Sequence, residues 1–126
     1  MYPVTNFERV REFHRAFSVE ENASPSVLLP MKTQHLRWKL MLEELDELKE
    51  AVFQSDAEGV LKELCDLLYV VYGYGAVMGF DVDAAFALVH ASNMTKLGVD
   101  GKPTYRDDGK VMKSPQYTPP DLRGLL

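Results

Sequence analysis

Hydrophobic and polar residues follow a helical period over most of the chain, beginning near its start. Thr5 and Glu8 have the spacing of a capping box, and the apolar positions after them predict an amphipathic first helix from about residue 6 to residue 19. A loop containing two prolines follows over residues 22–30. The second predicted helix runs from about residue 32 to residue 54.

Two further helices are predicted after this point. Asp56 is placed to cap the third helix, which continues to about residue 78 and ends before Gly79. Asp81 or Asp83 caps the fourth helix, which ends near Gly98. Four helices with short connections predict an all-α fold with a four-helix-bundle-type core.

The last part of the chain has a different character. Prolines and glycines forbid a long helix over residues 98–126, and Asp108-Gly109 lies between two short stretches with strand character. We therefore expect an ordered C-terminal arm or small hairpin there. At 126 residues the chain has the size of one domain, so we predict a single domain over 1–126, with a helical body at 1–97.

Charge is distributed unevenly. The chain carries a net −5, but residues 1–95 contain 8 Lys/Arg and 15 Asp/Glu, whereas residues 96–126 contain 6 and 4. A net negative charge argues against broad binding to nucleic acid. An acidic body joined to a basic arm suits a site that holds cations beside phosphates, although ordinary surface variation explains the same counts.

Cysteine content and hydropathy bear on location. The chain has one cysteine, Cys65, and begins without a charged and apolar leader, so we expect a reducing cytoplasmic setting. The most apolar stretch, residues 64–80, is interrupted by Asp66 and is short for a membrane span. No membrane association is expected.

Acidic residues are concentrated on the second predicted helix. At about 100° per residue, Glu43, Glu44 and Glu47 fall within one arc of roughly 100°. Leu36 and Leu40 lie in the same arc one or two turns earlier. These acids therefore continue an apolar stripe that is expected to face the core.

The third predicted helix repeats this arrangement. Glu63 and Asp66 are three residues apart, and Leu67, Val70 and Tyr74 extend their face as an apolar stripe. Carboxylates that meet inside a bundle repel one another and lose hydration, a cost that protonation, cationic side chains or a metal can offset, and metal is the simplest answer. Oxygen ligands select a hard cation such as Mg²⁺.

A simpler interpretation remains open for the second helix. Glu43, Glu47 and Glu50 also have ordinary surface spacing, and Lys49 lies among them. In that case the chain is a non-catalytic helical interaction protein with a solvated acidic face. The pairing of Glu63 with Asp66 on a strongly apolar helix favours the metal site.

These acidic motifs resemble those of the MazG-like all-α NTP pyrophosphohydrolase superfamily. The pattern E-E-x-x-E followed by E-x-x-D reads E-E-L-D-E and E-L-C-D in this chain. The resemblance is closest to the dUTP-hydrolysing branch, through T-N-F-E-R-V-R-E-F-H-R-A, V-H-A-S-N-M-T-K, R-D-D-G-K-V-M-K and P-P-D-L-R-G-L-L. A phosphoribosyl-ATP pyrophosphohydrolase, which shares the fold and the acidic motif, is the alternative enzyme.

The resemblance implies an activity and roles for the acids. Glu43 orients or deprotonates the attacking water, and the substrate is a (deoxy)nucleoside triphosphate, with dUTP or another modified or pyrimidine dNTP expected. Attack at the α-phosphorus with Mg²⁺, or Mn²⁺ in its place, yields the monophosphate and pyrophosphate. The metal ligands implied by position are Glu44, Glu47, Glu63 and Asp66.

Substrate-binding residues and a partner are also predicted. Asn93 and Lys96 share a face of the fourth helix, where they contact the nucleotide or simply form the polar end of the helix. Arg106, Lys110 and Lys113 would let the basic arm close over the triphosphate. Apolar surface around much of the third helix, together with the family resemblance, predicts a homodimer or homotetramer.

Overall fold

The computed structural model describes residues 4–26 and 29–126, and these residues are mostly helical. The all-α prediction is therefore confirmed for the described part of the chain. Its elements, in chain order, are the helices α1 (Asn6–Ala16), α2 (Met31–Phe53), α3 (Ala57–Met78) and α4 (Val82–Met94), the strands β1 (Thr104–Tyr105) and β2 (Val111–Met112), and a 3-10 turn at Arg123–Leu125.

Local hydrogen bonds explain where α1 begins and ends. The Glu8 backbone N–H donates to Thr5 Oγ1 at 3.1 Å, and the Thr5 N–H donates to the Glu8 carboxylate at 3.1 Å, so the predicted capping box is confirmed. The helix ends at Ala16, three residues earlier than predicted. Ser18 adopts a left-handed φ of 54°, and the Val19 N–H donates a hydrogen bond to the His14 carbonyl oxygen, with an N–O distance of 2.8 Å.

Helices α2 and α3 form an antiparallel hairpin with a three-residue connection. The Asp56 carboxylate accepts a hydrogen bond from the Gly59 N–H at 2.9 Å and caps α3 as predicted. The same helix ends at Gly79, whose φ is 73°. A side chain at Gly79 would collide with the Ser24 carbonyl, because the loop before α2 passes close to the end of α3.

The chain divides into two compact units, Met1–Val82 and Asp83–Leu126. In the first unit α3 packs against both α1 and α2. Its buried apolar residues are Phe7 and Val10 of α1, Ala51 of α2, and Ala76, Val77 and Met78 of α3. The extension of this core to a four-helix bundle, and the single domain over 1–126, stay predictions.

The buried face of α2 differs from the predicted one. Leu36 is 52% exposed and the Glu43 side chain is 53% exposed, although both belong to the arc that was expected to face the core. The inner stripe is turned by about 60° from that arc. It consists of Thr33, Gln34, Arg37, Leu40, Met41, Glu44, Leu48 and Ala51. Polar residues occupy this stripe while several leucines face outward, which is why apolar periodicity misplaced its centre.

The second unit contains α4 and the hairpin. Strands β1 and β2 pair antiparallel, with Thr104 opposite Met112, at the place where the sequence predicts a hairpin. Gly109 occupies the turn with a φ of 89°. Helix α4 ends at Met94, before the predicted end near Gly98. Across the part of the chain that is described, no helix is both long and apolar enough to cross a membrane.

Candidate metal centre

Three carboxylates from two helices meet at the interface between α2 and α3. Glu44 comes from the inner stripe of α2, and Glu63 and Asp66 come from the inner face of α3. One oxygen of each carboxylate lies within 4.8 Å of the others. The antiparallel hairpin brings these residues together, because position 44 of α2 lies opposite positions 63 and 66 of α3. We call Glu44, Glu63 and Asp66 the acidic cluster.

The acidic cluster is poorly compensated by the surrounding protein. The Oε2 atoms of Glu44 and Glu63 are buried and have no hydrogen-bond partner among the described residues, and the Glu63 side chain is 15% exposed. Burial, followed by a hydrogen bond with the Glu47 carboxyl and the charges of its acidic neighbours, raises the pKa of Glu44 from 4.5 to about 7. Buried oxygens without partners are unfavourable, so the site favours an added cation or proton.

The donor set fits a hard divalent cation. All the converging atoms are carboxylate oxygens, which Mg²⁺ and Mn²⁺ accept as ligands. Glu47 lies one turn from Glu44 along α2 and is exposed, so its place as a fourth ligand stays a prediction. The two unpartnered oxygens are the atoms that metal coordination would satisfy.

One basic side chain contacts the acidic cluster directly. The Lys62 ammonium lies 2.8 Å from Asp66 Oδ2 and 3.1 Å from Glu63 Oε1. Hydrogen bonds to Asp66 and Glu63 raise the pKa of Lys62 above its ordinary value. A single ammonium offsets only part of the negative charge that Glu44, Glu63 and Asp66 carry when ionised.

Glu43, the predicted catalytic residue, lies outside the acidic cluster. Its carboxylate is 4.0 Å from the Lys39 ammonium, and its side chain is 53% exposed. The structure therefore brings together three of the four predicted metal ligands, with Glu47 beside them, and places Glu43 on the solvent side of α2. Its role stays a prediction.

The predicted substrate-binding residues belong to the second unit. Asn93 is exposed near the end of α4, and Lys96 is half-buried just after it. In the hairpin, Arg106 pairs with the Asp108 carboxylate and Lys110 is exposed. The Lys113 ammonium lies 4.7 Å from the centre of the Tyr117 ring. Their contact with a nucleotide stays a prediction.

Two buried polar residues of the first unit, Arg37 and His14, were missed from the sequence. Arg37 is 7% exposed, its Nε has no partner, and burial lowers its pKa. His14 is 3% exposed, and its Nδ1 lies 2.8 Å from the Glu20 carbonyl oxygen. A side chain at Gly73 of α3 would collide with the Arg37 guanidinium. A glycine inside a helix was the one available signal of this close approach.

Comparison with known proteins places this site in a family. A sequence model of the phosphoribosyl-ATP pyrophosphohydrolase family matches residues 10–93, which include the acidic cluster and most of α1. The chain belongs to this family. The phosphoribosyl-ATP pyrophosphohydrolases are part of the MazG-like all-α superfamily, so the predicted resemblance is confirmed at the superfamily level.

A viral protein is also similar. An uncharacterized protein of Acanthamoeba polyphaga mimivirus is 31% identical over 113 residues, which are 87% of this chain and 43% of the viral protein. The chain thus spans less than half the length of that relative. The match to the phosphoribosyl-ATP pyrophosphohydrolase family does not distinguish the dUTP-hydrolysing branch, which stays a prediction.

Proposed function

We propose that this chain is a metal-dependent nucleotide pyrophosphohydrolase. The observation that carries the proposal is the meeting of Glu44, Glu63 and Asp66, with two buried carboxylate oxygens left without partners, in a chain of this family. Ordinary surface acids do not bury unpaired oxygens, because desolvation opposes it. A site that binds a cation and a phosphate chain accounts for the arrangement.

The acids divide into ligands and a base in the proposed mechanism. Glu44, Glu47, Glu63 and Asp66 would hold Mg²⁺, with Mn²⁺ as a substitute. When bound, such a cation would neutralise part of the phosphate charge and make a water molecule more acidic. Carboxylates repel phosphate on their own, so the role of the acidic cluster would be to hold the cation in a fixed place.

Bond changes follow from attack at the α-phosphorus. The water oxygen bonds to that phosphorus, the bond to the oxygen bridging the α- and β-phosphates breaks, and pyrophosphate leaves with a nucleoside monophosphate as the other product. Glu43 accepts the proton of the water. This role is carried over from the resemblance alone, because the Glu43 side chain is 53% exposed and lies outside the acidic cluster.

The substrate proposed first is dUTP or another modified or pyrimidine deoxynucleoside triphosphate, on the motifs that resemble the dUTP-hydrolysing branch. Asn93, Lys96, Arg106, Lys110 and Lys113 would bind its sugar, base and phosphates. Phosphoribosyl-ATP is the second candidate, favoured by the family whose model matches residues 10–93.

A substrate panel tests both candidates. Pyrophosphate release is measured with Mg²⁺ for dUTP, dCTP, the four common NTPs and phosphoribosyl-ATP. The first proposal expects the highest kcat/KM for a pyrimidine deoxynucleotide, and a preference for phosphoribosyl-ATP would transfer the assignment to the second. If no substrate is turned over, and Asp66→Asn binds metal as the wild type does, the chain is a non-catalytic helical protein.

We also propose that the protein is a cytoplasmic homo-oligomer. Leu61, Leu64, Leu68 and Val71 form one stripe on α3, and each is at least 43% exposed. Fully burying an exposed leucine is worth about 1.5–3 kcal/mol, and because these side chains are already partly buried, each would contribute roughly half of that to an association. Light scattering of the purified protein tests the oligomer, and a monomeric mass at micromolar concentration would contradict it.

A further inference from the structure

Lys62 makes an unusual ion pair for a surface lysine. Its side chain is 66% exposed, yet its ammonium donates to two members of the acidic cluster, Asp66 at 2.8 Å and Glu63 at 3.1 Å. Its partner Glu63 is 15% exposed and has a second oxygen that is buried and unpartnered. An exposed cation therefore reaches into a site whose other groups are partly buried acids.

A second lysine–acid pair, Lys39 and Glu43 of α2, shows how the contacts of Lys62 differ from those of an ordinary surface pair. Lys39 and Glu43 of α2 have the same four-residue spacing as Lys62 and Asp66, but they are 4.0 Å apart and both are more than half exposed. Such a pair contributes little to stability. The Lys62 ammonium instead contacts the same carboxylates that a divalent cation would need. Both cations cannot make these short contacts at once, because they repel each other.

We propose that Lys62 is a built-in counter-ion that competes with the divalent cation for Glu63 and Asp66, and that the displaced ammonium then binds the phosphate chain of the substrate. This inference rests on the proposed function, whose metal site it deepens. Lys62 precedes Glu63 directly, so its flexible side chain stays at the edge of the cluster after displacement. From there the ammonium would reach a polyphosphate bound beside the cation, which a lysine binds as a point charge.

The two parts of the proposal have effects of opposite sign. Removal of the ammonium takes away a competitor, so the metal alone should bind more tightly. The same removal takes away a phosphate contact, so an anion bound with the metal should bind more weakly. A residue that only supports the fold would shift both affinities in one direction or neither.

Mn²⁺ and inorganic pyrophosphate are suitable probes. The affinity for Mn²⁺ alone is measured by titration calorimetry for the wild type and Lys62→Met, with Lys39→Met as the matched control. We expect Lys62→Met to bind Mn²⁺ about 2- to 10-fold more tightly, since one direct ion-pair contact is removed. Lys39→Met should agree with the wild type, which separates direct competition from a general change of charge.

The second titration adds pyrophosphate to protein saturated with Mn²⁺. Lys62→Met should bind it about 3- to 10-fold more weakly than the wild type, and Lys62→Arg should restore most of the loss. Unchanged or weaker Mn²⁺ binding by Lys62→Met overturns the competition, and unchanged pyrophosphate affinity overturns the phosphate contact.

A third variant distinguishes failure of this inference from failure of the proposed function. If Asp66→Asn loses Mn²⁺ binding while Lys62→Met behaves as the wild type, the metal site is supported and only the role of Lys62 is wrong. If the wild type does not bind Mn²⁺, or Asp66→Asn binds it equally well, the metal site itself is wrong and both proposals fail.

Discussion

The raised pKa of Glu44 predicts how stability depends on pH. In the folded protein the pKa is about 7, compared with 4.5 for an unperturbed glutamate. Between these two values the folded protein keeps a proton that the unfolded chain has released. The free energy of unfolding without metal should therefore fall as pH rises from 4.5 to 7. Above pH 7 Glu44 is ionised in both the folded and the unfolded protein, so the loss of stability is complete.

The structure sets the size of this effect. At 1.36 kcal/mol per pKa unit, the difference from 4.5 to about 7 is worth at most about 3 kcal/mol. Solvent reduces it, because Asp66, one of the charges that raise this pKa, is 40% exposed. We expect about 1 kcal/mol. Glu44→Gln removes the ionisable group, so at pH 8 without metal the variant should be more stable than the wild type by this amount.

The difference in stability between wild type and Glu44→Gln is measured by urea unfolding in the presence of a chelator. The pH runs from 5 to 8.5, and the protein concentration is kept fixed. Glu12→Gln, at an exposed position of α1, is the control and should follow the wild-type curve. Added Mg²⁺ should stabilise the wild type at pH 8 more than Glu44→Gln, because a ligand that binds the folded state raises its stability. Parallel curves for wild type and Glu44→Gln across this range would refute the reasoning.

Three other changes test the site, the fold and the oligomer. Asp66→Asn should lower turnover at least about 100-fold while thermal unfolding shows a retained fold, and activity near the wild-type level would count against the metal site. Gly79→Ala should lower the free energy of unfolding by about 2 kcal/mol or more, because its φ is 73° and the Ser24 carbonyl occupies the side-chain position. Gly109→Ala, with a φ of 89° but open space, should lose only about 1 kcal/mol, and equal losses would exclude the collision. Leu68→Lys should lower the mass measured by light scattering, and an unchanged oligomer would exclude the α3 stripe as its interface.

The helices and their ends were largely predictable from local sequence. The capping box of Thr5 and Glu8, the Asp56 cap and the Gly79 end involve residues a few positions apart, so spacing is enough to predict them. The end of α1 was predicted three residues too late. Nothing in the apolar pattern marks the left-handed conformation of Ser18 that ends it.

The candidate site was predictable on α3 but less so on α2. Glu63 and Asp66 continue an apolar stripe that is also the inner face in the structure. On α2, Arg37 and Glu44 occupy the inner stripe while Leu42 is 61% exposed, so the apolar pattern pointed to Glu43 as well as to Glu44. A periodic pattern cannot locate a buried face that is itself polar.

The sequence by itself determined the helical fold, the order of the acidic motifs and the hairpin in the second unit, because these depend on residues close together in the chain. Only the tertiary structure decided which glutamate of α2 meets Glu63 and Asp66. The packing of α2 against α3 sets the distances, the burial and hence the pKa of Glu44. These quantities depend on residues about twenty positions apart in the chain, which local spacing does not encode.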